Sequence, residues 1–374
     1  MPKQTSDIFM PGDYAIAFSK SGQKWKIDKE VDVGANGPTV VSEFTDSTLV
    51  NKGYIYSYSA YGVWFTRDNG TLINKETGHI NGGTFGVYFD PVLSTDVNGS
   101  VENHGKIFGN VAGIYSPEQG DFATENHGEI YGYTYGIYSV GFFVGSTKGP
   151  VIKNYDSIKS DQFGIYLVAI DENLRSKVVN QKDGVIEGGT LEDGYAAVFN
   201  ANGDMTLINK GKIKGGVSGT TGEEFTLTNT GKIKGDVRLG FEDDKLDNRD
   251  GNITGYIWGH FGRDKLIAGD KKEKFVFDDL TDFDRVKNFE SGKDTFILDQ
   301  NAFLALAPGP LEKSAFRRGT EAEDGDDRII YDETTGNVYY DIDGDGGGFA
   351  PVRFAKVDAG QKLKYSDFII DNFV

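Results

Sequence analysis

A short phrase, Asn-x-Gly-x-Ile-x-Gly or a close variant, returns nine times between Asn51 and Gly255. Every copy keeps its isoleucine: Ile55, Ile80, Ile107, Ile130, Ile158, Ile186, Ile213, Ile233 and Ile253. Successive isoleucines lie 25, 27, 23, 28, 28, 27, 20 and 20 residues apart, a period that belongs to stacked supersecondary units. Such a chain buries its apolar surface coil against coil, so its 374 residues count repeats rather than separate cores.

Each unit carries three apolar stations. The first lies two residues before the asparagine, at Leu49, Leu72, Val101, Ile152, Val178, Leu207, Leu227 and Leu246. The second is the isoleucine itself. The third is a Gly-Val/Ile-aromatic phrase: YGVWF at 61, FGVYF at 85, AGIYS at 112, YGIYS at 135 and FGIYL at 163. β-Branched and aromatic residues alternate at period two and glycine interrupts them, which argues for strands and against helix. The predicted fold is all-β, a right-handed parallel β-helix (β-solenoid) of about nine coils, each with three strands. Isoleucines would form an inward column, and asparagines would link amide to amide at a corner.

Alternation also predicts a surface. With Val63, Val87, Ile114, Ile137, Ile165 and Val198 pointing inward, the next residues, Trp64, Tyr88, Tyr115, Tyr138, Tyr166 and Phe199, point outward as a six-rung aromatic column. It suits sugar rings or a protein partner, and equally a ladder that only stabilises its sheet. Long loops are expected near 66–71, 89–100, 116–124, 139–150 and 167–177. The coils beginning at 211, 231 and 251 shorten, with third stations at Val217, Val237 and Ile257.

Glycine at 51 residues against 9 prolines serves recurring tight turns. Acidic residues outnumber basic ones 57 to 39, giving a formal charge of −18, so bulk attraction to nucleic acid or an anionic bilayer is not expected. Divalent cations are the natural counter-charge. With no cysteine, disulfides and thiolate metal sites are excluded. The first twenty residues show no apolar stretch of the signal-peptide kind, and no run reaches the ~18 apolar residues of a membrane span.

Four segments follow: an N-terminal cap strand in 1–45, with Trp25, Ile27, Val31 and Val33 inward; long-looped coils in 46–230; short coils in 231–280; and a cap in 281–374. Residues 231–250 and 251–270 align without a gap, matching Ile233 with Ile253, Asp244 with Asp264, Leu246 with Leu266 and Asp250 with Asp270. Within them GFEDDKLDN (240–248) and GHFGRDKLI (259–267) resemble the nonapeptide of repeats-in-toxin proteins. The segments FVFDDLTDFDRVKNF, DDRIIYDETTGNVYYDIDGDGGGF and DFIIDNFV are similar to the C-terminal region of secreted repeats-in-toxin and serralysin-type proteins. The resemblance covers about 231–374 and implies a short β-roll segment with bound calcium, a β cap, and an uncleaved signal for the type I exporter ending in Asp371-Asn372-Phe373-Val374.

By that resemblance Asp244 and Asp264 hold the ligand position, with Glu242, Asp243 and Asp270 beside them. Glu242 and His260 stand where the pattern has turn glycines, and Glu273 replaces the next aspartate, so one or two ions are implied rather than a long array. Asp341, Asp343 and Asp345 in DIDGDG begin like an EF-hand loop, but position twelve is Val352. That stretch also reads as a tight turn, between strands over 327–332, 338–342 and 351–357.

No phosphate loop, Gly-x-Ser-x-Gly elbow or His-Glu-x-x-His helix is present. His104 and His127 recur beside Glu102 and Glu125 in VENHGKIFG and TENHGEIYG. Two histidines and two glutamates are a conceivable transition-metal ligand set, but the pattern favours exposed polar corners that share a position because the coils share a template. Two functions follow as expectations. One is a secreted, calcium-binding adhesion, matrix or self-assembly protein whose partner is an extracellular polysaccharide or another copy. The other is a carbohydrate-active β-helix enzyme or carbohydrate-binding protein; a bacteriocin or toxin is raised only by the family association.

Overall fold

The computed structural model describes residues 1–12, 14–90, 98–117, 122–141, 148–169, 174–220 and 224–373. The chain is all-β, 51% strand and 3% helix, and its parallel coils stack into a β-solenoid of about 11 turns. Two compact units are formed, Met1–Ser218 and Gly219–Val374. Residues 91–97, 118–121, 142–147 and 170–173, which fall in four of the expected loops, lie outside the described residues, as does Val374.

In the first unit every coil contributes one strand to each of three parallel sheets, and equivalent residues stand directly above one another. On the first face Leu49, Leu72, Val101, Thr124, Ile152, Val178 and Leu207 pair in register. On the second, Val33 leads the isoleucines from Ile55 to Ile213. Val40, Val63, Val87, Ile114, Ile137, Ile165 and Val198 do the same on the third. All are buried, and each isoleucine contributes about 1.5–3 kcal/mol by leaving water. Thr124 is the one polar member, with no bonding partner for its hydroxyl.

The asparagine corner is a hydrogen-bonded column. Asn51 Nδ2 donates to Asn74 Oδ1 (2.9 Å), and the same link runs from Asn74 to Asn103, Asn126, Asn154, Asn180 and Asn209 at 2.8–2.9 Å. An amide is both donor and acceptor, so each rung satisfies the next. Glycine follows two residues later because coils nearly touch there: a Cβ on Gly128 would lie 2.2 Å from the Gly105 carbonyl oxygen.

The stack starts earlier than the phrase. Residues 1–45 were expected as a cap strand, but Lys3–Gln4, Ile8–Met10 and Ile16–Ala17 form one coil, and Lys24–Ile27, Asp32–Ala35 and Val40–Ser42 the next. Ile27, Val31 and Val33 are buried as expected, whereas Trp25 is only half-buried. These coils lack the asparagine phrase because Ile27 occupies the place opposite Asn51.

The second unit changes the filling of the coils. Leu227, Leu246, Leu266 and Val286 stack on the first face, and Val237, Ile257, Phe275, Phe296 and Phe368 on the third. The second face ends with Asn252–Ile253, and phenylalanine supplies the missing volume: Phe289 stacks on Phe296 at 4.4 Å, and Phe277 and Phe303 both meet Phe354. Ile329–Asp332, Asn337–Tyr340 and Val352–Lys356 form the expected antiparallel meander, and its last strand joins Asp284–Lys287 in parallel.

Candidate functional site

The six outward aromatics come together. Trp64, Tyr88, Tyr115, Tyr138, Tyr166 and Phe199 pair in register and are all half-buried. Beside them runs a second line, Tyr61, Phe85, Tyr135 and Phe163, overlooked in the sequence although an aromatic precedes the glycine in four of the five third-station phrases. Ala112 leaves a gap in that line, and Phe85 fills it by lying on Tyr115, 4.3 Å away and inclined 2°. Tyr115 stacks on Tyr138 at 4.6 Å, and Tyr166 on Phe199 at 4.7 Å. Rings stacked on one another spend their faces internally and leave edges and hydroxyls outside. Burial raises the Tyr88 and Tyr115 phenols and pushes Tyr138 up to about 12, its phenol neighbours adding to the effect, so these three hydroxyls stay neutral at physiological pH.

The first face of the same unit carries a groove of about 500 Å³ in which charged side chains stand among apolar ones. Ile73, Glu102, Glu125 and Lys153 form one outward in-register column along it, with Ala123 and Val151 in the column beside. His104 Nε2 lies 2.8 Å from Glu102 Oε1, and His127 Nε2 lies 3.1 Å from Glu125 Oε1. The imidazoles stack at 4.8 Å, inclined 5°, and Tyr155 covers His127 at 4.2 Å. Lys75 Nζ donates to Glu102 Oε1 at 2.9 Å, and Lys153 Nζ stands 3.6 Å from Glu125 Oε2. The Lys75 and His104 bonds hold the Glu102 carboxyl below its usual range. Each histidine thus serves its own glutamate, and the four residues do not converge: among the described residues no three His, Cys, Asp or Glu side chains are grouped to hold a metal. Lys75 and Lys153 were missed in the sequence because outward positions vary from coil to coil.

In the second unit a buried aspartate column stands at another corner. Asp244 Oδ1 accepts from the Phe225 N–H (2.7 Å), Asp264 Oδ1 from the Asp244 N–H (2.8 Å) and Asp284 Oδ1 from the Asp264 N–H (3.0 Å). Asp284 was overlooked, although Asp-Lys-Leu, Asp-Lys-Leu and Asp-Arg-Val recur at 20-residue intervals from 244. A carboxylate only accepts, so this column cannot close on itself as the amides do: Asp244 Oδ2 and Asp264 Oδ2 are buried with no partner. Burial, joined by neighbouring carboxylates, pushes Asp244 up to about 8 and Asp264 to about 7, and raises Asp284 well above the ordinary range.

The asparagine corner also turns acidic here. Asn229 donates to Asn248 (2.6 Å), Asn248 to Glu273 Oε1 (2.7 Å), and the Glu273 N–H to Asp294 Oδ1 (3.1 Å). Burial, with Asp294 adjacent, pushes Glu273 up to about 7.

The residues chosen from sequence as calcium ligands do not form one cluster. Asp244 and Asp264 are buried, while Glu242, Asp243 and Asp270 are exposed, and Asp243 is engaged by the Arg263 N–H at 2.9 Å. His260 keeps the left-handed backbone of a turn glycine, φ 67°, and its Nδ1 meets Asp278 Oδ2 at 2.6 Å. Two uncompensated carboxylate oxygens suit a hard cation in charge and chemistry, with backbone carbonyls or water to complete the six to eight oxygens it takes. In 341–345, Asp341 accepts from the N–H groups of Asp343 and Gly344, Asp343 from that of Gly348, and Asp345 is exposed. Asp341 and Asp343 thus brace the turn. Among the described residues no helix is long and apolar enough to cross a membrane. Comparison with protein-family models, curated proteins and solved structures returned no match.

Proposed function

We propose that this chain is a secreted, calcium-binding β-solenoid that acts as an extracellular adhesion, matrix or self-assembly protein. The observation that supports the reading is the strict register of the first unit, which sets the outward side chains of successive coils in straight columns, the aromatic one from Trp64 to Phe199 keeping one chemistry throughout. A surface of that kind engages a long or repetitive partner better than a small molecule. Calcium at Asp244 and Asp264 is supported by their unpartnered buried oxygens. Export by the type I route rests on the resemblance of 231–374 to repeats-in-toxin and serralysin-type proteins.

Purified chain applied to bacterial cells and to isolated extracellular polysaccharide, with calcium and with chelator, tests this. Calcium-dependent retention or ordered self-association is expected; a monomer that binds neither would sink the reading. A second reading, a carbohydrate-active enzyme, is favoured by Glu102 and Glu125 standing side by side in a groove. Release of reducing or unsaturated ends from polysaccharide, lost in Glu125→Gln, would establish it.

A further inference from the structure

The groove on the first face has features that the aromatic column lacks. It is open to solvent and sets charged side chains among apolar ones, whereas the rings of the column cover one another. Beside it, sharing His104, lies a second hollow of about 450 Å³ lined by Lys29, Lys52, Lys75, Glu76, Thr77 and His104. Together the two hollows carry Lys29, Lys52, Lys75 and Lys153 against Glu76, Glu102 and Glu125. Lys29 stands 3.7 Å from Glu30, so in a chain of net charge −18 this patch is locally balanced rather than acidic. Glu102 and Glu125 are each bonded by an imidazole and approached by a lysine, and Lys52 has no ion pair among the described residues.

We infer that this groove binds an acidic oligosaccharide, laid along the stacking direction with about one sugar facing each coil. The inference rests on the adhesion reading above and names its site and ligand class. Strands recur every ~4.8 Å, close to the repeat of an extended pyranose chain, so each coil presents its outward side chain to one sugar. Lys153 in the groove and Lys52 and Lys75 in the adjoining hollow answer the ligand's carboxylates with charge-assisted hydrogen bonds. Glu102 and Glu125 accept from sugar hydroxyls, and Ile73, Ala123 and Val151 offer apolar surface to the C–H faces of the rings. Sites that combine apolar walls with a few convergent polar groups are the usual form of a ligand cleft.

Calorimetric titration of the full chain, at fixed calcium, with an oligogalacturonate hexamer and with a neutral glucan hexamer tests the assignment. The acidic hexamer should bind at least about tenfold tighter than the neutral one, and added salt should erode the difference. Lys52→Ala with Lys153→Ala should weaken it by about tenfold or more at an unchanged melting temperature. Equal affinity for both glycans, no binding to either, or full affinity in the double lysine variant would overturn the assignment. If the chain adheres to cells and the double variant adheres equally, the groove is wrong and the adhesion reading stands. If the wild-type chain adheres to nothing, the adhesion reading itself has failed.

Discussion

The two units solve one problem with different chemistry. Both must satisfy polar side chains buried at the corners of stacked coils. Residues 1–218 use asparagine, which donates to one neighbour and accepts from the other, so the column from Asn51 to Asn209 is neutral and complete. Residues 219–374 begin with Asn229 and Asn248, then change to Glu273 and Asp294, and add the aspartates at 244, 264 and 284. Carboxylates have no proton to give, and their column is complete only when a proton or a cation supplies the missing charge. The first unit is therefore indifferent to pH and ions at its corners, and the second is conditional on both.

The most damaging test of this contrast lies in the first unit. Ile130→Ala empties a fully buried site and should cost about 4 kcal/mol. Asn126→Ala breaks the links from Asn103 and to Asn154 inside the buried column, a loss of about 3 kcal/mol. Urea unfolding would measure both, and neither cost should change between chelator and millimolar calcium. A calcium-dependent cost for Asn126→Ala would break the comparison.

A middle-sized effect is expected in the second unit. The folded carboxyls of Asp244, Asp264 and Glu273 titrate near 8, 7 and 7, above ordinary values of 3.8 and 4.5. The folded unit then holds protons that the unfolded chain has released, so stability falls as pH rises. The contribution is full below about pH 4 and is lost as pH climbs through 7 to 8. In chelator, hydrogen exchange within 219–374 should slow as pH is lowered from 8 to 6, after correction for the intrinsic rate, while exchange within 1–218 holds steady. Calcium should flatten the dependence, and a pH-independent second unit would refute it. Asp264→Asn sharpens the point: without metal at pH 8 it should stabilise the unit by about 1 kcal/mol or more, and it should abolish the calcium response.

The smallest effect belongs to the aromatic column. Tyr138→Ala removes a half-buried ring stacked on Tyr115 and should cost about 1 kcal/mol, read as a lower urea midpoint.

The residues that could be read from sequence are those whose role repeats without exception. The isoleucines, the asparagines and the outward ring after each third station obey one spacing rule, and register converts that rule into columns. Thr124 escaped because a hydroxyl interrupts an apolar series, and the first two coils escaped because Ile27 replaces the asparagine. Asp284 was hidden by Arg285 and Val286, which vary the Lys-Leu seen after Asp244 and Asp264. The pairs Glu102–His104 and Glu125–His127 were legible because they recur in one phrase, whereas Lys75 and Lys153 were not, since they stand on other coils at positions whose residue type changes and only stacking brings them to the glutamates.

The asparagine column also sets how the chain can be altered. Its rungs are separated by 23, 29, 23, 28, 26 and 29 residues, yet the amide contacts differ by no more than 0.1 Å. Contour length and pitch are thus uncoupled: residues added between two rungs bulge sideways and leave the interval along the stack unchanged. The first unit works as a ruler whose marks are fixed while the material between them is free, so foreign peptides spliced into its longer coils should be displayed at multiples of a single coil rise.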